Sequence, residues 1–458
     1  MQTLVALSGL GLLTLFSEIF GFRKIVRPMI VVGLLLTLVL TSQDWNRPQH
    51  LFNDMLVIDN YAVAFSFLVV ALTLVWLLLS SGFFQEPSTE VDRSALVVFA
   101  LIGAVCMVNF NNMIMLFLGI EILSISMYIL AGSEKNNLSS NEAALKYFLM
   151  GAFATGFLLF GIALMYGATG SFSLSQIATS VATISPQNSI LVTVGLFMLV
   201  IAMAFKVSAA PFHFWAPDVY QGAPTPVTAY MSTVVKTAAF AAFFRLFNTC
   251  FAVNAGVWSE TVMVISALTM LLGNIGAAAQ SNIKRMLAYS SVAHAGYMLL
   301  AILALNGLAA GSMFYYATAY SISSLLAFFI LYTVSNKTGL ETVDAFRGLS
   351  RRSPVLTFLT VVSMLSLAGI PPTAGFFAKY YIFTAALDAG NMSLVLLAVA
   401  GSLVGVYYYF RPMIAAFSPP DNQTAISVEK PIIVMLLLLA MASLVLGIVP
   451  GVLVSLLG

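Results

Sequence analysis

The stretch FKVSAAPFHFWAPDVYQGAPTPVTAYMSTVVK, residues 205–236, decides how the rest of the chain is read. It sets two lysines, a histidine, an aspartate and four prolines in sequence otherwise apolar enough to live in lipid. Lys206 stands near the middle of an apolar run that begins around Ser189. Pro211 and Pro217 interrupt that run, and Lys236 falls near the middle of the next one. A charged side chain at bilayer depth costs at least ~2.5–3.5 kcal/mol. Backbone that leaves helical geometry there survives only where protein or water surrounds it. A stretch that accepts both costs reads as part of a polar path through a membrane.

The flanking sequence supplies the membrane. Of 458 residues, 60% are hydrophobic and 8% charged, where a soluble domain carries about a quarter charged. Apolar runs long enough to cross a ~30 Å hydrocarbon layer recur along the chain. They predict an all-α polytopic membrane protein of about fourteen spans. The spans lie near 3–20, 25–42, 60–81, 94–111, 112–132, 143–168, 188–222, 225–248, 257–279, 286–305, 310–335, 354–388, 391–416 and 431–457. The first run has no basic segment before it, so insertion is expected through that span rather than through a cleaved leader.

Basic residues set the orientation. Thirteen of the nineteen fall on one side: Arg23, Lys24, Arg27, Arg93, Lys135, Lys284, Arg285, Lys337, Arg347, Arg351, Arg352, Arg411 and Lys430. The other side receives Arg47 and Arg245. The first side is expected to be cytoplasmic, with both termini outside. Four basic residues remain, all within apolar runs: Lys146, Lys206, Lys236 and Lys379. Among the acids Glu18 and Glu121 are the two singled out within spans; Asp218, Glu260 and Asp388 lie close to span ends.

Spans seven and twelve look like relatives. Each is about 35 residues long, each is broken by proline near its middle, and each carries a lysine beside the break, Lys206 before one and Lys379 after the other. They are five spans apart, so with spans alternating in direction they cross oppositely. That predicts two inverted five-helix repeats, 94–248 and 257–416, within one membrane domain covering 1–458. Residues 1–93 hold three leading spans and 431–457 a closing one. Paired discontinuous helices of this kind hold ion or proton sites near the midplane in transporters. Proline kinks in packed helices are the alternative, and they leave the two lysines unexplained.

The remaining polar residues take roles of different weight. Glu18 sits close to Arg23–Arg27 and reads as a carboxylate paired at a helix end. Glu121, at the centre of span five, needs a partner or a proton; a structural bond to Ser124, Ser126 or a neighbouring helix competes with a functional role. Lys146 is nearer a helix end, where a lysine can also snorkel. In span ten, Ser290, Ser291, His294 and Tyr297 make a polar stripe above Lys284 and Arg285, which read as cytoplasmic anchors; His294 is a candidate proton relay. His213, just past the first break, is a candidate entry gate, and His50 is assigned nothing. Cys106 and Cys250 lie apart in apolar sequence, with no metal or redox spacing. Motifs of zinc proteases, serine hydrolases and nucleotide-binding loops are absent, and a net charge of +2 spread over membrane loops excludes nucleic acid.

With those residues in hand, the chain resembles the antiporter-like subunits of respiratory complex I, the proton-pumping NADH:quinone oxidoreductase, a family shared with Mrp-type sodium/proton antiporters. FLGIEILS, KVSAAPFHFWAPDVYQGAPTPV, SNIKRMLAYSSVAHAGYM and LAGIPPTAGFFAKYY carry the resemblance, in that order and over nearly the whole chain. The DVYQGAP form, and no long lateral helix after span fourteen, favour the N-type members over the sister L and M types. The resemblance implies that Glu121 pairs with Lys206, that Lys236 bridges, that Lys379 ends the path, and that Lys146 and His294 are accessory. The sister subunits carry a histidine shortly after PTPV, where this chain has Ser232, so the middle of the relay is expected to use Lys236 and water.

The resemblance further implies that the chain binds no cofactor itself. NADH, FMN, iron–sulfur clusters and quinone would belong to partner subunits in a peripheral redox arm. Membrane neighbours of K-like and M-like type and lipids would surround it in the bacterial cytoplasmic membrane. A subunit of an Mrp-type antiporter is the rival reading, which co-purified flavin and iron would exclude. A non-conducting scaffold is the other, and it gains nothing from four costly lysines.

Overall fold

The computed structural model describes residues 2–21, 23–84, 89–183, 186–419 and 425–457. The apolar runs form helices, in chain order α1 (Gln2–Ile19), α2 (Val26–Gln43), α3 (Asn60–Leu79), α4 (Glu90–Asn109), α5 (Met113–Ala131), α6 (Leu138–Thr169), α7 (Leu174–Ala182) and α8 (Pro186–Lys206). There follow α9 (Trp215–Gly222), α10 (Thr225–Tyr230), α11 (Lys236–Leu246), α12 (Ala255–Ala278), α13 (Ile283–Ala304) and α14 (Ala309–Thr338). The chain continues through α15 (Leu349–Arg352), α16 (Pro354–Ala368), α17 (Ala374–Asp388), α18 (Met392–Phe417), α19 (Lys430–Ile448) and α20 (Gly451–Val454). Four begin where a side chain takes up a free amide of the first turn. Asp59 accepts from Ala62, Asn112 from Ile114, Asn137 from Ser139 and Asn282 from Arg285.

Twelve helical stretches are long and apolar enough to cross a membrane. That number differs from fourteen for two local reasons. Helical bonding runs unbroken from Thr225 to Ala278 through π turns at Met231–Val235 and Phe247–Phe251, joining two expected spans into one 54-residue stretch. The twelfth expected span is split into α16 and α17, each of 15 residues and too short alone. Two features were not expected. A hairpin of β1 (Gln49–Leu51) and β2 (Leu56–Ile58) fills the connection before α3, and α7 lies in the connection before α8.

Both long proline-bearing helices are interrupted. α8 stops at Lys206; Ser208 takes a left-handed φ of +61°, and helix resumes at Trp215. α16 stops at Ala368; Gly369 takes φ +82°, which a glycine adopts freely, and helix resumes at Ala374. Each break contains a cis X–Pro peptide, Ala210–Pro211 in one and Pro371–Pro372 in the other.

The described residues fall into two compact units. The first comprises Met1–Val207 with Val234–Val262, the second Ser208–Thr233 with Met263–Gly458. The chain from 208 to 233, expected within the first repeat, therefore packs in the second unit. In the first unit Arg245 is only 7% exposed and grips Asp59 through two hydrogen bonds of 2.7 and 3.0 Å, tying α11 to the start of α3. Glu18 pairs with Arg23. In the second unit Lys284, read from the sequence as a cytoplasmic anchor, is buried. Its ammonium donates to the Ala223 carbonyl at 2.6 Å, while Arg285 holds Asp218 at 2.7 Å. These two cations thus grip α9 and the loop that follows it.

α19 covers the second break. A Cβ on Gly447 would fall 1.9 Å from the Pro372 carbonyl oxygen, so only glycine admits this backbone-to-backbone contact. Gly447→Val is expected to cost at least ~1–3 kcal/mol, the range for overpacking a filled core. It should lower the thermal midpoint of the purified protein, whereas Gly451→Val, with open space around it, should leave that midpoint unchanged.

Candidate proton-relay site

In the first unit the site is built by α5, α6 and α8. Lys206 is the last residue of α8 and buried, and its ammonium donates to the Ser124 hydroxyl at 2.6 Å. A helix end with unpaired carbonyls suits a cation. Ser124 stands one turn from Glu121 on α5. The Glu121 carboxylate accepts from the Thr155 hydroxyl of α6 at 2.7 Å. Among the described residues no ion pair joins Lys206 to Glu121. They are linked through neighbouring positions of one helix, and the bond to a neighbouring helix that competed for Glu121 is present.

Lys236 opens α11 directly after a π turn and is buried. π turns inside α-helices are frequent at functional sites. The hydroxyls of Ser232 and Thr233 both donate to the Ala229 carbonyl, at 3.1 and 2.7 Å. Ser232 is thus committed to backbone rather than standing in for a relay histidine. Lys146 lies in the third turn of α6. It is 40% exposed and ion-paired to Glu142 at 2.8 Å, the placement of a snorkelling lysine.

In the second unit the break after α8 holds two buried polar atoms without a protein hydrogen-bond partner, the Ser208 hydroxyl and His213 Nδ1. Buried atoms of this kind are satisfied by ordered water. His294 sits on α13 between two tyrosines: Nδ1 meets the Tyr316 hydroxyl of α14 at 2.6 Å and Nε2 the Tyr409 hydroxyl of α18 at 3.1 Å. Tyr409 also bonds Ser290, the start of the polar stripe. Beside His294 lies a cavity of about 10 Å³, room for one water, lined by Tyr316, Tyr320, Ser323, Ser366 and Gly375. Lys379 of α17 is buried at the second break, where its ammonium donates to the Ala368 carbonyl at 2.7 Å.

Sequence reasoning singled out the lysines and His294 and did not name Thr155, Tyr316 and Tyr409, which bond Glu121 and His294. A charge in lipid is conspicuous because it is costly; a hydroxyl is tolerated in any helix once it bonds a carbonyl one turn back. Buried amines, an imidazole, hydroxyls and water-sized space are groups that hold and pass protons.

The matching family model, described as NADH:quinone oxidoreductase/Mrp antiporter, TM, covers residues 111–405, the segment that carries every lysine of the site. A protein of Cytophaga hutchinsonii named NADH-quinone oxidoreductase subunit N is 46% identical over 93% of this chain and 92% of its own length. The chain belongs to this antiporter-like family, in its subunit N branch. A solved chain of respiratory complex I from Thermus thermophilus with bound aureothin matches 99% of this chain and 98% of its own at TM-score 0.86 and 33% identity. A chain of the Mrp complex from Dietzia matches 99% of this chain and 94% of its own at TM-score 0.85 and 21% identity, and so shares the fold. Membership makes this chain a multi-pass, antiporter-like membrane subunit, with the complex I reading better supported than the Mrp one.

Proposed function

We propose that this subunit translocates protons across the bacterial cytoplasmic membrane as part of a complex I, driven by redox chemistry in partner subunits. The observation that carries the reading is the pair of interrupted helices, each with a buried lysine at its break. Lys206 is hydrogen-bonded to Ser124 and Lys379 to Ala368. The chain itself performs no redox step. NADH, FMN, iron–sulfur clusters and quinone belong to the peripheral arm, and K-like and M-like subunits and lipids flank it. Fourteen crossings in two inverted repeats, with both termini outside, agree with the basic asymmetry and with the paired breaks.

Burial disfavours a charged lysine, and a nearby carboxylate favours it. Glu121 is half-buried and held by Thr155, one turn from the hydroxyl that holds Lys206. Movement of Glu121 toward Lys206 retains the proton, and movement back to Thr155 releases it. The proton then passes by water through Lys236 and His294 to Lys379. His213, with its unpaired ring nitrogen beside the first break, serves the entry side, and Lys146 is accessory.

Glu121→Gln tests the switch, because the amide keeps the shape and can still accept from Thr155. NADH-driven proton uptake by membrane vesicles is expected to fall about tenfold, the effect of ~1.4 kcal/mol, while assembly on a native gel is unchanged. Glu121→Asp should fall less. Normal pumping in Glu121→Gln would leave Glu121 a structural acid. A purified assembly without flavin and iron that exchanges sodium for protons would replace the complex I reading with the antiporter one.

A further inference from the structure

Lys379 is only 8% exposed, and among the described residues no carboxylate lies within ion-pair distance of it. Burying an ammonium without compensation is prohibitive, so other groups must offset the charge. One is the carboxyl end of α16, whose closing carbonyl, Ala368, takes a hydrogen bond from the ammonium at 2.7 Å. Gly369 makes room for it: a Cβ there would lie 2.8 Å from Lys379 Cδ and 3.1 Å from Nζ. The other is the face of Tyr297, whose ring centroid stands 5.4 Å from Nζ. A cation within about 6 Å of an aromatic face is attracted to its negative quadrupole.

The Tyr297 ring is held for this task. Its hydroxyl receives a hydrogen bond from Asn274 at 2.9 Å, and Asn274 in turn accepts from Tyr408 at 3.1 Å. Phe383 packs edge-on against it at 6.1 Å, and His294 at 5.8 Å. The ring therefore touches both the relay histidine and the terminal lysine.

We propose that Tyr297 is the positioning residue of the terminal lysine, its ring face and the end of α16 together replacing a carboxylate counter-ion. This rests on the reading of Lys379 as a proton-carrying group. A carboxylate beside Lys379 could itself take the proton and stop the relay there. A ring face and a helix end stabilise the ammonium without accepting its proton, and they release the amine once it is neutral.

The test uses the assembled complex in membrane vesicles, measuring protons taken up per NADH oxidised and the amount of assembled subunit. Tyr297→Phe keeps the face and is expected to pump nearly as the natural protein does. Tyr297→Leu should lower the ratio about threefold or more, the low end of what a cation–ring contact is worth, with assembly unchanged. Fluorinated phenylalanines at the same position keep the shape while draining charge from the face, and pumping should fall stepwise with fluorine number even if the leucine variant assembles poorly. A flat response across that series, or Tyr297→Phe falling as far as Tyr297→Leu, overturns the proposal and assigns the residue to its bond with Asn274. Lys379→Ala is the control. Normal pumping there defeats the role of the lysine itself, whereas lost pumping there with a flat fluorine series defeats only that of Tyr297.

Discussion

Lys206→Ala is expected to abolish NADH-driven proton uptake through this subunit, with the assembled complex still present on a native gel. The ammonium is the group that α8 delivers to Ser124, and alanine carries no proton there. Lys206→Arg should rescue poorly, to about a tenth or less of normal uptake. Guanidinium keeps its charge at every accessible pH and cannot release a proton. It is also planar and forked, whereas the site offers a single hydroxyl 2.6 Å from a compact ammonium. Ser124→Ala should do less harm than either, because the lysine remains. Full uptake in the arginine variant would reduce Lys206 to a structural cation.

Asp59→Ala is expected to give the largest loss of stability outside the relay. Asp59 serves two partners, closing the first turn of α3 through Ala62 and holding both terminal nitrogens of Arg245. The guanidinium also lies over the Tyr61 ring at 5.1 Å, and the Tyr61 hydroxyl donates to the Ala241 carbonyl of α11 at 3.0 Å. Removing the carboxylate leaves a cation that is 7% exposed without its counter-ion. The cost should be ~3 kcal/mol, the low end for a broken buried pair, because the Asp59 side chain is itself 39% exposed. Loss of the cap adds about 1 kcal/mol, which Asp59→Asn should spare. Thermal denaturation of the purified protein should therefore rank natural above asparagine above alanine. Equal midpoints would mean that α3 and α11 are held by apolar packing alone.

The chain's own order of residues determined what depends on properties measured along the chain. Run length and the absence of charge marked the helices. Proline beside lysine in spans seven and twelve marked the two interruptions, since proline cannot continue a helix and a lysine is not carried into lipid without purpose. The four lysines and His294 were legible for the same reason: a costly group stands out against an apolar background.

Only the tertiary structure decided which group each of them meets. Lys206 finds Ser124, 82 residues away, rather than Glu121 directly, and Glu121 finds Thr155. His294 is flanked by Tyr316 and Tyr409, 22 and 115 residues distant, and Lys379 meets a carbonyl and a ring. Arg245, read at the end of span eight, and Lys284, read as an anchor, are buried because the fold brings Asp59 to one and the Ala223 carbonyl to the other. Partners of this kind depend on the rotation of each helix about its axis and on which helices become neighbours. Those are set by the packing of the whole bundle, where a turn of one residue moves a side chain by about 100° and changes everything it can touch.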